Sequence, residues 1–147
     1  MNMPAFNDTM RKFGAPQTVI HSFRYWSVML RPAQVTLGAL VLAAHEPARA
    51  FSELSPASFA ELHETVNQIE GALTRAFQYD KINYLMLMMV DPDVHFHVIP
   101  RYAQPSQFAD MEFIDSGWPA APNLGKVNET GERTNQLIIE RIKTCWL

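Results

Sequence analysis

Positions 93 to 99 read DVHFHVI, which places Asp93, His95 and His97 at every second residue with apolar side chains between them. In an extended strand alternate side chains share a face. Asp93, His95, His97, Ile99 and Arg101 would therefore lie on one side and Val94, Phe96, Val98, Pro100 and Tyr102 on the other. Neighbours on one face stand roughly 6.6 Å apart, a spacing that lets three groups converge on a tetrahedral anion from different directions. A phosphate fits that description. An imidazole with a pKa near ~6.5 is mostly unprotonated at neutral pH, so it can attack phosphorus and later depart. His95, in the middle, is the expected nucleophile, provided that its second ring nitrogen donates its proton to a nearby acceptor and fixes the tautomer. His97 would steady the non-bridging oxygens, and loss of such a donor typically costs about 10²–10³ in rate. Asp93 completes the row as the third candidate catalytic residue, and Arg101 joins His97 as a candidate phosphate ligand. One Asp and two His also have the composition of a facial metal triad. Three consecutive same-face positions of a flat strand wrap an ion poorly, however, so neither a metal nor any other cofactor is expected.

These side chains need a sheet to hold them and a helix to cover its other side. "TVIHSF" and "YWSVML" read as strands broken near Arg24, and Thr36 to Ala43 as a short strand buried on both faces, where Gly38 hints at a bulge or a close backbone approach. Ser55 can cap a helix with Pro56 in its first position. Phe59, Leu62, Val66, Ile69, Leu73 and Ala76 then draw an apolar stripe down it. "KINYLMLMMV" reads as a strand and "DPD" as the tight connection into "VHFHVIPRY", together making an antiparallel hairpin. The run "YLMLMMV" is most simply core, or else a sheet edge buried in a dimer. "PAFNDTMRKFG" predicts a short helix over about 4–13 that stops at Gly14. Beyond Tyr102, the Pro/Gly-rich "SGWPAAPNLG" leads to a terminal helix carrying Ile138, Ile139, Ile142, Cys145 and Trp146. One long helix and a hairpin without strand–helix–strand repetition predict an α+β domain with a mainly antiparallel sheet of about five strands. The domain would occupy residues 1–103, and residues 104–147 would form an extension packed on it or on a dimer.

The bulk numbers agree with a single small domain. The chain has 147 residues, 12 Lys+Arg against 15 Asp+Glu, and a net charge of −3, so the basic footprint of a DNA binder is missing. A lone Cys145 rules out an intrachain disulfide, and the first twenty residues carry no basic-then-apolar signal pattern. The longest apolar runs fall well short of the ~20 residues a membrane helix needs. A cytoplasmic protein without a membrane partner is expected. His63 lies off the helix stripe and should be solvated, and His21 and His45 show no partner spacing.

The stretch "DVHFHVIPR" resembles the signature of the histidine triad (HIT) family, His-φ-His-φ-His-φ-φ commonly followed by Pro-Arg. The apolar run Leu37 to Ala43, the "ELSP" helix start, the "DKIN" before the hairpin and the strand order are similar as well, so the likeness spans roughly residues 18–102. The resemblance implies a HIT-like fold, a homodimer through a shared antiparallel sheet, and nucleotide binding. It makes His95 the residue that forms a covalent phosphohistidine and His97 the last triad member. It further implies a nucleotide-binding hydrolase or transferase acting on a nucleoside phosphoramidate, a dinucleoside polyphosphate or a related phosphoanhydride. The departures are specific. Asp93 replaces the first triad histidine, Gly38 and Ala39 stand where an earlier-strand histidine is usual, Arg31 stands about where many members carry a ribose-binding acid, and "MMVDP" replaces a Gly/Gln-rich loop. An ionised Asp93 repels phosphate unless it is protonated, pairs with His97 or Arg101, or turns to solvent. The alternative reading is thus a catalytically weak nucleotide-binding or regulatory module, with metal binding through Asp93, His95 and His97 behind it.

Overall fold

Ser55 starts the dominant helix as the sequence predicts. Its side chain accepts from the Ser58 amide, and Pro56, which has no N–H to satisfy, takes the first turn of α2, Pro56–Phe77. The helix ends on Gln78 in the left-handed region. The computed structural model describes residues 5–147. It contains α1 (Asp8–Lys12), β1 (Val19–Ser22), β2 (Trp26–Leu30), β3 (Leu40–Ala44), α2, β4 (Lys81–Leu85), β5 (His95–Arg101), the small hairpin β6 (Ser106–Phe108) and β7 (Met111–Phe113), and α3 (Glu132–Thr144). β1 to β5 form one antiparallel sheet in the order β1-β2-β3-β5-β4. This is the predicted α+β class with a five-stranded antiparallel sheet.

One face of that sheet carries the main core. Trp26, Val28, Leu30, Leu40, Leu42, Ala44, Val94, Val98 and Tyr102 pack with Ile69, Ala72 and Leu73 of α2 and with Ile138, Ile139 and Ile142 of α3. Burying a side chain such as Leu73, which is fully covered, is worth about 1.5–3 kcal/mol. The buried face of α2 is rotated from the predicted stripe: Ser58 and Thr65 are buried while Phe59 is 40% exposed. Ser58 takes the inward place because its hydroxyl bonds Glu46 and its carbonyl accepts the Trp26 indole N–H at 2.8 Å. Phe59 instead meets Phe51 edge-on at the surface.

The opposite face, which carries the histidines, is covered too. Phe6, Met10, Phe13 and Ala15 pack on Val19, Met29, Val41 and Ala43, and Leu124 and Val127 of the extension pack on Val35, Ala39 and Ile99. Several boundaries differ from expectation. The N-terminal helix is five residues long, capped by the Asn7 side chain on the Met10 amide, and the first expected position, residue 4, lies outside the described residues. Gly38 stands in the turn before β3 at φ +86°, where a Cβ would come 3.0 Å from the Phe77 ring. β4 stops at Leu85. The chain then leaves the sheet with Met88 at φ +54°, and Leu87, Met89 and Val90 are exposed rather than core. Among the described residues no helix is long and apolar enough to cross a membrane.

Candidate functional site

β5 is sandwiched between β3 and β4, so its alternation is enforced on both sides and the histidines cannot rotate to the core face. His95 pairs with Ala43 and His97 with Val41 across β3. The small Ala43 leaves room for an imidazole. The two rings meet edge to face with centroids 5.2 Å apart. The Nδ1–H of His95 donates to the backbone carbonyl of Asp93 at 2.7 Å, which leaves the lone pair on Nε2, the tautomer a nucleophile requires.

Asp93 does none of the things that would fit it for a triad. One carboxylate oxygen accepts from the Thr9 hydroxyl at 2.8 Å and, at 3.4 Å, from the Thr9 amide, and both residues are buried. That oxygen is thus committed to α1. The same helix is fastened elsewhere. Asn7 donates to the Ala44 carbonyl at 2.9 Å, and Lys12 pairs with Asp91 at 2.8 Å. His45, for which the sequence offered no partner, bonds Ser27 Oγ through Nε2 at 2.7 Å and faces the Ala5 carbonyl through Nδ1. Phe13 consequently lies over both imidazoles, with centroids 5.9 Å from His95 and 5.8 Å from His97. His95 is 2% exposed and His97 8%, so both rings are covered.

Burial and the nearby Arg31 cation, with a smaller push from His95, lower the pKa of His97 to about 4 against the opposing pull of Asp91. His97 is therefore neutral at pH 7, and its buried Nδ1 has no hydrogen-bond partner among the described residues. Arg101, expected to bind phosphate, is engaged elsewhere. It forms a two-pronged ion pair with Asp115 at 2.7 and 3.1 Å and donates to Asn83 Oδ1 and the Ala120 carbonyl. Its place is at the root of the extension, where Trp118 and Pro119 border the same cleft. Among the described residues no three His, Cys, Asp or Glu side chains gather as metal ligands.

The sequence marked Arg31 only as a departure from the family pattern, and it gave Thr9 and Phe13 no role at the site although it predicted the helix that supplies Thr9 and ends at Phe13. Arg31 lies one residue past β2, opposite Ala39, to whose carbonyl its amide donates.

No protein-family model matches the chain, and no curated protein matches it in sequence. Solved structures match its shape. A histidine triad protein from Sinorhizobium meliloti 1021 aligns with a TM-score of 0.74 over 96% of each chain at 21% identity. A histidine triad protein from Marinobacter aquaeolei VT8 gives 0.70 over 99% of this chain and 97% of its own at 18% identity. Diadenosine triphosphate hydrolase from Plasmodium falciparum gives 0.62 over 88% and 76% at 11% identity. The fold is that of the histidine triad proteins.

Proposed function

We propose that the chain is a nucleotide-binding hydrolase or transferase of the histidine triad type, with access to its nucleophile governed by α1. The observation that carries this reading is the His95 tautomer, fixed by the bond from Nδ1–H to the Asp93 carbonyl. Nε2 attacks the α-phosphorus of a nucleoside phosphoramidate, dinucleoside polyphosphate or related anhydride, and the N–P bond forms as the bond to the leaving group breaks. The departing amine or phosphate takes its proton from solvent. The phosphorylated ring, still protonated at Nδ1, carries positive charge that the Asp93 carbonyl stabilises. His97 donates a hydrogen bond to a non-bridging oxygen, and water then cleaves the N–P bond to release the monophosphate. A fluorogenic adenosine phosphoramidate tests this: turnover should disappear in His95→Ala, and equal turnover in that variant refutes it.

A second reading, a nucleotide-binding regulatory module with little catalysis, is favoured by the commitment of Asp93 to Thr9 and the near-complete burial of His95. Asp93→His discriminates, because it removes the pin on α1 and restores a third histidine together. A large rise in turnover supports a weakened enzyme, while ordinary enzyme rates in the wild type would refute the module.

A cytoplasmic homodimer belongs to the same proposal. β4 is a sheet edge whose outer hydrogen-bonding row has no strand partner within the described residues, and it runs into Leu87, Met89 and Val90, exposed by 47%, 85% and 78%. Sedimentation should show a dimer that Val90→Lys weakens, and a monomer at micromolar concentration would count against it.

A further inference from the structure

Three cations stand near the histidine face, and two are already spent: Arg101 on Asp115 and Lys12 on Asp91. The third is Arg31, which forms no ion pair among the described residues. We propose that Arg31 is an anion-binding residue of this site, placed to hold a phosphoryl group against His97. The proposal deepens the reading of β5 as a phosphate-handling strand and rests on it.

The register sets the distance. Leu30 pairs with Leu40, and the next step brings the Arg31 amide to the Ala39 carbonyl at 3.0 Å. Continuing the alternation, Arg31, Ala39, Val41 and His97 share one face. Two strand spacings of about 4.8 Å put Arg31 roughly 10 Å from β5, where the position across Ala39 is Ile99 and His97 is one same-face step along the strand. An arginine crossing over Ala39 can therefore meet a ligand bound at His97, and the Arg31 charge is the second-largest cause of the depressed His97 pKa.

Each side chain has a buried nitrogen without a hydrogen-bond partner among the described residues. Nη1 of Arg31 is fixed on the Ala33 carbonyl at 2.7 Å, whereas among the described residues neither the buried Nε nor Nδ1 of His97 has a partner. Buried polar atoms without partners are rare in folded proteins. The Arg31 N–H, together with His97 in its Nδ1–H tautomer, would be satisfied by an acceptor with several oxygens. A phosphoryl group supplies three, enough for Arg31, His97 and an attack by His95 from different directions.

The segment that carries Arg31 is rigid. Gln34 is fully buried. Its Nε2 donates to the Arg31 and Ala39 carbonyls at 2.7 and 3.0 Å, and its Oε1 accepts from the Gly38 amide at 2.9 Å. A cation held this way loses little freedom when an anion arrives.

The test titrates full-length protein with inorganic phosphate and with AMP, following heat and the His97 ring resonances across pH. The variants are Arg31→Gln, Arg31→Lys and His95→Ala. Arg31→Gln should weaken phosphate binding by roughly 10- to 100-fold, the worth of a charge-assisted hydrogen bond. Arg31→Lys, a point charge without the fork, should fall between. Phosphate should raise the His97 titration midpoint in the wild type, and in Arg31→Gln that midpoint should already be raised and respond little. Tighter binding of AMP assigns the phosphoryl group to a nucleotide, and equal binding assigns it to the free oxyanion. Unchanged binding in Arg31→Gln, no binding by the wild type, or a His97 resonance indifferent to phosphate overturns the proposal. If phosphate binding depends on Arg31 while no variant turns over nucleotide, the hydrolase reading fails and this one stands. If His95-dependent turnover is identical in Arg31→Gln in both KM and kcat, this proposal fails and the hydrolase reading stands.

Discussion

Replacing Thr9 by valine keeps the shape of the side chain and removes the hydroxyl that binds Asp93. That bond is 2.8 Å long and lies between two buried residues. A hydrogen bond to a charged group contributes about 1.5–3 kcal/mol. The remaining contact, from the Thr9 amide at 3.4 Å, is too long to make up the difference. The loss falls on a five-residue helix that cannot stand alone. It should therefore appear as local opening, with the undocked population rising roughly 10- to 150-fold, a factor of ten for each ~1.4 kcal/mol. Hydrogen exchange reads this directly at the Arg11 and Phe13 amides, whose bonds to the Asn7 and Thr9 carbonyls close the helix. If α1 controls the path to His95, phosphoramidate turnover should rise with the exchange rate until chemistry becomes limiting. Faster exchange with unchanged turnover would refute the gating role, and unchanged exchange would show that the Thr9–Asp93 bond does not hold the helix down.

The depressed pKa of His97 also makes stability depend on pH. The unfolded chain binds this proton near 6.5 and the folded chain only near 4, so between those values the unfolded state holds more protons and stability falls as pH falls. The loss should amount to roughly 2–3 kcal/mol across that window. Urea titrations of wild type and His97→Gln will differ in slope between pH 6.5 and 4 if this is right and run parallel if it is not. At the other end of the strand, Arg101→Met leaves the Asp115 carboxylate buried without its cation and should destabilise the protein by about 3–5 kcal/mol. Arg101→Met/Asp115→Leu should recover much of that, and a loss below about 1 kcal/mol in the single variant would mean that the extension is anchored by other contacts.

The sheet, the long helix and the two-faced character of β5 were legible in the sequence because each rests on a period that burial enforces. Phe96 and Val98 had to face the core once His95 and His97 faced away. The tautomer of His95 could be anticipated as chemistry, although its acceptor, the carbonyl two residues back, comes only with the strand's entry geometry. Other features had no local signal. Hairpin β6–β7 turns on Ala109 and Asp110, both at positive φ, where Asn-Gly or Asp-Gly would have announced it. The partners of Asp93 and Arg101 lie 84 and 14 residues away, and pairings of that kind follow from assembly of the layers rather than from composition. The departure at β4 shows the limit of reading hydrophobicity alone: "LMLMMV" looks like core, yet Leu87, Met89 and Val90 face outward.

Asn128 shows what the extension does for the far side of the molecule. Its side-chain amide donates to the carbonyls of Gln34 and Val35 and to that of Ile114, and its backbone N–H reaches the Gln34 carbonyl again at 2.9 Å. A residue 94 positions downstream of Gln34 thus clamps the loop whose first residue is Arg31. The C-terminal third steadies the backbone from which Arg31 extends while Ile138, Ile139 and Ile142 complete the core, so a truncation there would loosen that loop and the core together.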